Sequence, residues 1–403
     1  MSGPLGNRLR VPKLFSNFLN YSILFIILVY LFTNSFQISS SLNPDCNNCT
    51  ADTTLMYVRA EGSNDVVHQL WDFTRGTPTM IIAIGTINST LSVKWDINKQ
   101  PIKFDMSEEP IYCFAAAFNQ LIEYNDEDDT GHYNPSYRQK SFPLKLLKWK
   151  LDDVIQTENE VMVKLHSNKS DPSDYSRAGI ITIKLDLLPF KDYAVDLPHL
   201  IHTANSTLVD ISLVNMPMSR YLNQSRFALH YTLVSTDSRT DTMRNIMRKS
   251  LDDEHTPGVF EIVEIKTPES YKQGDGGFIQ FRPVAYTQPE RGVTTSTDVH
   301  VFGFNRLLSY STRYNRSNLL VQGMFISIGQ PGDGYYKQHN YTAWSYTIGY
   351  GSPPMEGFSL FVILVICIGL GVPLVLAISG VACVLARRCR QQRNAPARFH
   401  DEE

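Results

Sequence analysis

Ile181-Thr182-Ile183-Lys184-Leu185-Asp186-Leu187 is the stretch that decides the fold, with aliphatic residues on every odd position and polar ones on every even position. Successive side chains of an extended strand point to opposite faces, so a period of two marks a strand with one face in a core. The same alternation returns in Val209, Ile211 and Leu213, and again in Phe227, Leu229, Tyr231 and Leu233. Runs rich in β-branched and aromatic residues predict further strands over residues 55–60, 79–86, 91–95, 144–151, 161–166, 259–265, 278–286, 319–328 and 342–350.

Between these runs lie Gly, Pro, Asn and Asp clusters, at 171–174, 274–277 and 330–334, whose composition is that of turns. Only residues 112–124 and 242–251 read as helices, both short, and no repeated helical pattern is available to cross over between parallel strands. Many short strands with such turns predict a mainly β, antiparallel, sandwich-like fold rather than an α/β one. Residues 188–198, where Pro189 and Pro198 bracket a charged, non-periodic passage, suggest a boundary between two β-rich halves, 36–193 and 194–357. A single large β domain of this length is the alternative.

Outward from this region the chain changes character at both ends. Residues 358–386 are apolar throughout and are followed at once by Arg387, Arg388 and Arg390. About 20 such residues cross a bilayer as a helix, and basic residues stay on the cytoplasmic side. The run therefore reads as a transmembrane helix, with a cytosolic tail at 387–403 whose first arginines read as a stop-transfer signal before they read as a contact to anionic lipid headgroups. At the other end Arg8, Arg10 and Lys13 precede an apolar stretch at 23–32 and small residues at Thr33 and Ser35, so residues 1–35 read as a signal peptide or, uncleaved, a signal anchor. Both readings place the bulk of the chain in a lumen.

The intervening part holds seven Asn-x-Ser/Thr acceptor motifs, at Asn48, Asn88, Asn168, Asn205, Asn223, Asn315 and Asn340. Their number and the inferred topology support one another. Its cysteines are Cys46, Cys49 and Cys113. Three thiols close at most one bridge, and the CxxC pair Cys46 and Cys49 reads as a local staple or as flexible thiols, so the fold must hold by its core. A net charge of -3 without a basic, aromatic-interleaved stripe gives no basis for nucleic-acid binding.

Chemistry is hard to find. The sequence has no HExxH, no GxSxG and no GxxxxGK[ST] or GxGxxG. His199 and His202 follow a proline that favours an extended chain, which would turn their rings to opposite faces. Asp126–Asp129 reads as a solvated loop, lacking the spaced ligands of a calcium loop. Asp252, Asp253, Glu254 and His255 read as the end of an element rather than an acid–base pair, because adjacent carboxylates do not flank a substrate. No catalytic residue, metal ligand or cofactor is expected.

The span carries no ionisable side chain, so it offers no proton relay or ion site. It does carry Gly369, Gly371, Pro373 and Gly380. Pro373 removes a helix hydrogen bond, and small residues admit a second helix, so either docking or plain anchorage accounts for them.

The segments NSTLSVKW (88–95), LIHTA (200–204), SLDDEHTPGVFEI (250–262), FRPVAYTQ (281–288) and YTAWSYTIGYGSPPMEG (341–357) resemble the glycosylated lysosomal membrane protein family. The resemblance implies a type I lysosomal membrane protein with a glycosylated, β-rich luminal region and no catalytic residues. It also implies an accessory subunit that binds, stabilises and shields from proteolysis a polytopic lysosomal major-facilitator transporter for dipeptides. The chain departs from that pattern in two places: its tail has neither a tyrosine nor an acidic dileucine, and no cysteine lies between Cys113 and Cys367. A luminal or surface hydrolase, marked by a concave cluster of titratable groups, is the alternative from another class, and a cell-surface adhesion or receptor module is the third.

Overall fold

The structure is a computed structural model that describes residues 37–50, 53–62, 64–167, 179–188, 206–236, 243–250, 259–268, 276–282, 285–292, 295–306, 319–354 and 360–393. The expected leader, the 188–198 boundary passage after Leu188, His199, His202, residues 252–255, Asn168, Asn205 and Asn315 lie outside the described residues.

The first strands in chain order are β1 (Gln37–Leu42), β2 (Leu55–Glu61), β3 (Asp65–Asp72), β4 (Thr79–Thr86), β5 (Leu91–Trp95), β6 (Pro101–Met106), β7 (Tyr112–Asn125) and β8 (Gln139–Pro143). Then come β9 (Trp149–Gln156), β10 (Val161–Ser167), β11 (Ile180–Leu187), β12 (Ser206–Val214), β13 (Ser225–Thr236), β14 (Arg244–Lys249) and β15 (Glu261–Lys266). The last are β16 (Gly277–Phe281), β17 (Ala285–Tyr286), β18 (Ser296–Thr297), β19 (Val299–Arg306), β20 (Leu319–Ile328) and β21 (Tyr341–Tyr350), followed by helix α1 (Leu360–Arg393). The strands lie in one compact unit and α1 in another.

All described pairings are antiparallel and build two large sheets, one in the order β1-β2-β3-β4-β7-β13-β20-β19 and one in the order β14-β15-β16-β21-β12-β11-β10-β9, together with a separate two-stranded hairpin of β5 and β6. Each sheet draws strands from both sides of residue 193, so the two β-rich bodies are layers. β11 and β12, which flank that residue, pair from Ile180↔Val214 to Asp186↔Leu208.

The decisive alternation does what its period requires. Ile181, Ile183, Leu185 and Leu187 are buried in the main core, where Val209, Ile211 and Leu213 of β12 join them from the same sheet. Phe227, Leu229, Tyr231 and Leu233 enter that core from the other sheet. Burial of side chains of this size contributes about 1.5–3 kcal/mol each, so the core suffices without a disulfide framework. Between the sheets a space of about 30 Å³ remains, bordered by Met80, Phe118, Leu185, Ile211, Tyr231 and Tyr346. That is room for about one water and far too little for a lipid or a sugar.

Both expected short helices are strands. Residues 112–124 lie in β7, a central strand between β4 and β13, where Tyr112, Phe114, Ala116 and Phe118 alternate into the core. The alanines between them have strong helix propensity, but pairing on both sides overrides it. At Asn119 the register against β13 slips by one residue, so Phe118 and Leu121 both face inward. Residues 244–249 form the exposed edge strand β14. The strand expected over 144–151 splits into a single helical turn at Leu144–Leu146 and the start of β9.

The outer faces are also covered. The β5–β6 hairpin lays Val93, Leu91, Trp95 and Phe104 over Leu55 and Leu70 of β2 and β3. Tyr133 and Tyr137, from the loop after β7, cover Ile122, Tyr124 and Ala228. On the other sheet Tyr286 of β17 packs on Leu208, Tyr341 and Ala343.

Candidate functional site

Several polar side chains able to do chemistry are buried among the described residues, and those that cluster are held in structural pairs. The nearest approach to a nucleophile is Ser89 beneath the β5–β6 hairpin. Its Oγ lies 2.8 Å from Nε2 of His68, whose Nδ1 lies 2.8 Å from the Tyr57 hydroxyl. Ser89 also donates its proton to the Thr86 carbonyl at 2.7 Å. The ring must then donate from Nε2 to Ser89 and accept from Tyr57 at Nδ1. An activated serine needs the reverse, its own proton directed at the imidazole. Burial, with the Arg59 cation second, lowers the His68 pKa to about 4, so the ring stays neutral and this tautomer persists.

The acidic loop read as solvated is instead a clamp, which corrects that reading. Arg226 on β13 is buried and donates from Nε to Asp126, from one terminal nitrogen to Asp129 and from the other to Asp333, each at 2.7 Å. Asp126 is itself buried and also accepts from the Gly131 backbone at 2.8 Å. Asp129 turns the chain with φ +50°. A charge as deep as Arg226 is tolerated because its donors meet carboxylates. This pairing links residues 107 positions apart and carries no local sequence signal.

A third pair fastens β17 and β18. Arg291 grips both Asp210 oxygens, at 2.8 and 3.1 Å, and donates to the Tyr341 hydroxyl, while Ser345 donates to Asp210. Glu123 accepts from Ser219 and Ser225. Among the described residues no group of three His, Cys, Asp or Glu side chains is arranged to hold a metal ion.

The acceptor motifs that can be placed lie at the surface. Asn48, Asn88 and Asn223 are exposed and Asn340 is half-buried, all in turns or strand starts. Asn48 and Asn340 adopt φ +61° and +51°, a conformation asparagine tolerates better than most residues. Cys46 and Cys49 are joined by a disulfide, and Cys113 is a half-buried free thiol whose pKa burial raises to about 11.

Helix α1 runs through Pro373 without a break and continues past the expected span to Arg393. Residues Val362–Arg390 are long and apolar enough to cross a membrane. A Cβ added at Gly369, Gly371 or Gly380 would meet nothing within 4 Å, so each glycine leaves open room beside the helix.

The family model for glycosylated lysosomal membrane protein matches residues 54–391. Among relatives, "Glycosylated lysosomal membrane protein B" of Xenopus laevis is 28% identical over 372 residues, covering 87% of this chain and 90% of the relative. "Glycosylated lysosomal membrane protein A" of the same organism is 26% identical, covering 89% and 91%. The Homo sapiens "Glycosylated lysosomal membrane protein" is 25% identical, covering 81% and 82%. With a β-sandwich body, one apolar C-terminal helix and this match over most of its length, the chain belongs to the glycosylated lysosomal membrane protein family, and it is a lysosomal membrane protein with a single C-terminal span.

Proposed function

We propose that this protein is a non-catalytic accessory subunit that binds a polytopic lysosomal major-facilitator transporter of dipeptides and protects it from luminal proteases. The observation that carries the reading is the form of α1. Up to residue 386 it is an apolar span without Asp, Glu, Lys, Arg or His, opened by Gly369, Gly371 and Gly380 around Pro373. In lipid, hydrophobic burial does not drive helices together; close packing at small residues does. Cys367 with Gly371, and Ser379 with Cys383, give two further small pairs at i,i+4 spacing.

The body supports the same reading by what its polar groups do. Ser89, His68, Arg226, Asp126, Asp210 and Arg291 are engaged with one another, and a β-rich surface carrying glycan motifs suits a shield better than an enzyme. A hydrolase would need a titratable cluster open to substrate. The test is purification of the intact protein in mild detergent with identification of what co-elutes. A polytopic transporter in stoichiometric amount is expected; elution of the chain alone from lysosomal membranes would contradict the proposal.

A further inference from the structure

The acceptor motif at Asn48 differs from the other six in its middle residue. It reads Asn48-Cys49-Thr50, and Cys49 is bonded to Cys46, so the acceptor asparagine sits inside a four-residue disulfide ring. We infer that Asn48 is a conditional glycosylation site, whose use is decided by whether the Cys46–Cys49 disulfide has closed. This rests on the luminal placement proposed above.

Two reactions compete for one tripeptide. In glycan transfer the Asn48 amide nitrogen loses a proton and bonds the first sugar of a lipid-linked oligosaccharide, whose lipid pyrophosphate leaves. In disulfide formation the Cys46 and Cys49 thiols lose two protons and two electrons to the disulfide of a luminal thiol oxidoreductase, which becomes a dithiol. Transfer requires the three residues to enter an enzyme's groove together, with the asparagine amide and the threonine hydroxyl both presented. The closed ring denies this: it ties the Cys49 side chain back to Cys46 and holds Asn48 at φ +61°. Thr50 is turned toward the Thr53 hydroxyl at 3.4 Å.

Position in the chain makes the competition real. The two cysteines are three residues apart and need no tertiary structure to meet, so the ring can close as soon as the segment reaches the lumen. Folding then consolidates the closed form. Asp45 accepts from the Val93 backbone at 2.9 Å, Pro44 accepts from Trp95 at 2.8 Å, and Lys99 donates to the Asn47 carbonyl at 2.7 Å, all on the β5–β6 hairpin. Asn88 is exposed, has no cysteine in its motif and is the natural internal reference.

The test measures glycan occupancy by mass spectrometry of the full-length protein, with free thiols alkylated before reduction. In the unaltered protein, peptides with the Cys46–Cys49 bond should carry an unmodified Asn48 while Asn88 is occupied. Cys46→Ser leaves the Asn48 motif intact and should raise Asn48 occupancy several-fold, with Asn88 unchanged; Cys46→Ala should do the same. Because occupancy is set as the chain enters the lumen, the readout survives a folding defect. An Asn48 occupied as fully as Asn88 in disulfide-bonded protein, or unmoved by both variants, would overturn the inference. Absence of glycan at Asn88 as well would overturn the luminal placement and this inference with it.

Discussion

Tyr231 and Tyr346 come from opposite sheets, and their hydroxyls meet 2.9 Å apart in the core. Burial raises both phenols well above their usual range, so the pair stays neutral at any pH the protein meets. Phe118 stacks on Tyr231 at 5.3 Å between ring centres, and Phe281 packs against Tyr346 at 4.8 Å with the rings tilted by 40°. The pair is thus one polar register mark between the two layers, another being the buried bond from Thr207 of β12 to Gln69 of β3 at 2.6 Å. Either Tyr→Phe change alone leaves one buried hydroxyl without its partner and should cost about 1–3 kcal/mol. The double variant should cost less than the sum of the two singles, as measured by denaturant unfolding in a double-mutant cycle. Strict additivity would mean that the two hydroxyls do not support each other.

His68 makes the body weaker in acid. The unfolded chain takes up a proton near the ordinary histidine value of 6.5, whereas the folded protein resists until about 4. Stability from this residue is therefore whole above about 6.5 and is lost as pH falls toward 4, by at most roughly 3 kcal/mol. Burial lowers the pKa values of His230 and His300 as well, with the same sign. Unfolding midpoints measured from neutral pH down to about 4 should fall, and His68→Gln should make that fall shallower. An unchanged slope would place the acid sensitivity elsewhere.

Replacing Arg226 removes one cation from three carboxylates. Arg226→Met should destabilise by about 3–5 kcal/mol, because Asp126 stays buried without its counter-charge. Adding Asp126→Asn should recover part of the loss. Unfolding midpoints of the two variants check both statements, and a fully stable Arg226→Met protein would refute the clamp.

Loss of the Cys46–Cys49 staple should matter little to stability. Closing a four-residue loop removes little chain entropy, so Cys46→Ser together with Cys49→Ser should cost about 2 kcal/mol or less. The double variant should still leave the endoplasmic reticulum, as followed by glycan maturation. Its retention would show that the N-terminal strands depend on the staple.

What could be read from the chain follows the range of the forces involved. Strands with clean alternation or dense β-branching were legible to the residue: Thr79–Thr86, Leu91–Trp95 and Leu319–Ile328 fall at the predicted limits. Tyr112–Asn125 was misread because its alanines look helical locally, while the pairing that makes it a strand comes from β4, about 30 residues earlier, and β13, about 110 later. β3, with Asp65, His68 and Gln69, escapes the sequence reading because polar groups are buried on both of its faces: His68 under the hairpin against Ser89, and Gln69 toward the other sheet, where it accepts from Thr207. Of the site, the motif asparagines and the glycine-bearing span were visible in sequence. The Arg226 clamp and the Tyr57–His68–Ser89 chain were not, since each joins distant residues whose types are ordinary on their own.

If the chain shields a transporter from luminal proteases, the lifetime of that transporter depends on the chain. In cells lacking this protein, the co-purifying transporter should disappear from lysosomes, and inhibitors of luminal proteases should restore it. Re-expression of the intact chain should restore it without inhibitors, and a chain with Gly369→Leu and Gly371→Leu should do so less well while keeping its glycans. A transporter whose lifetime is the same with and without the chain would contradict the account.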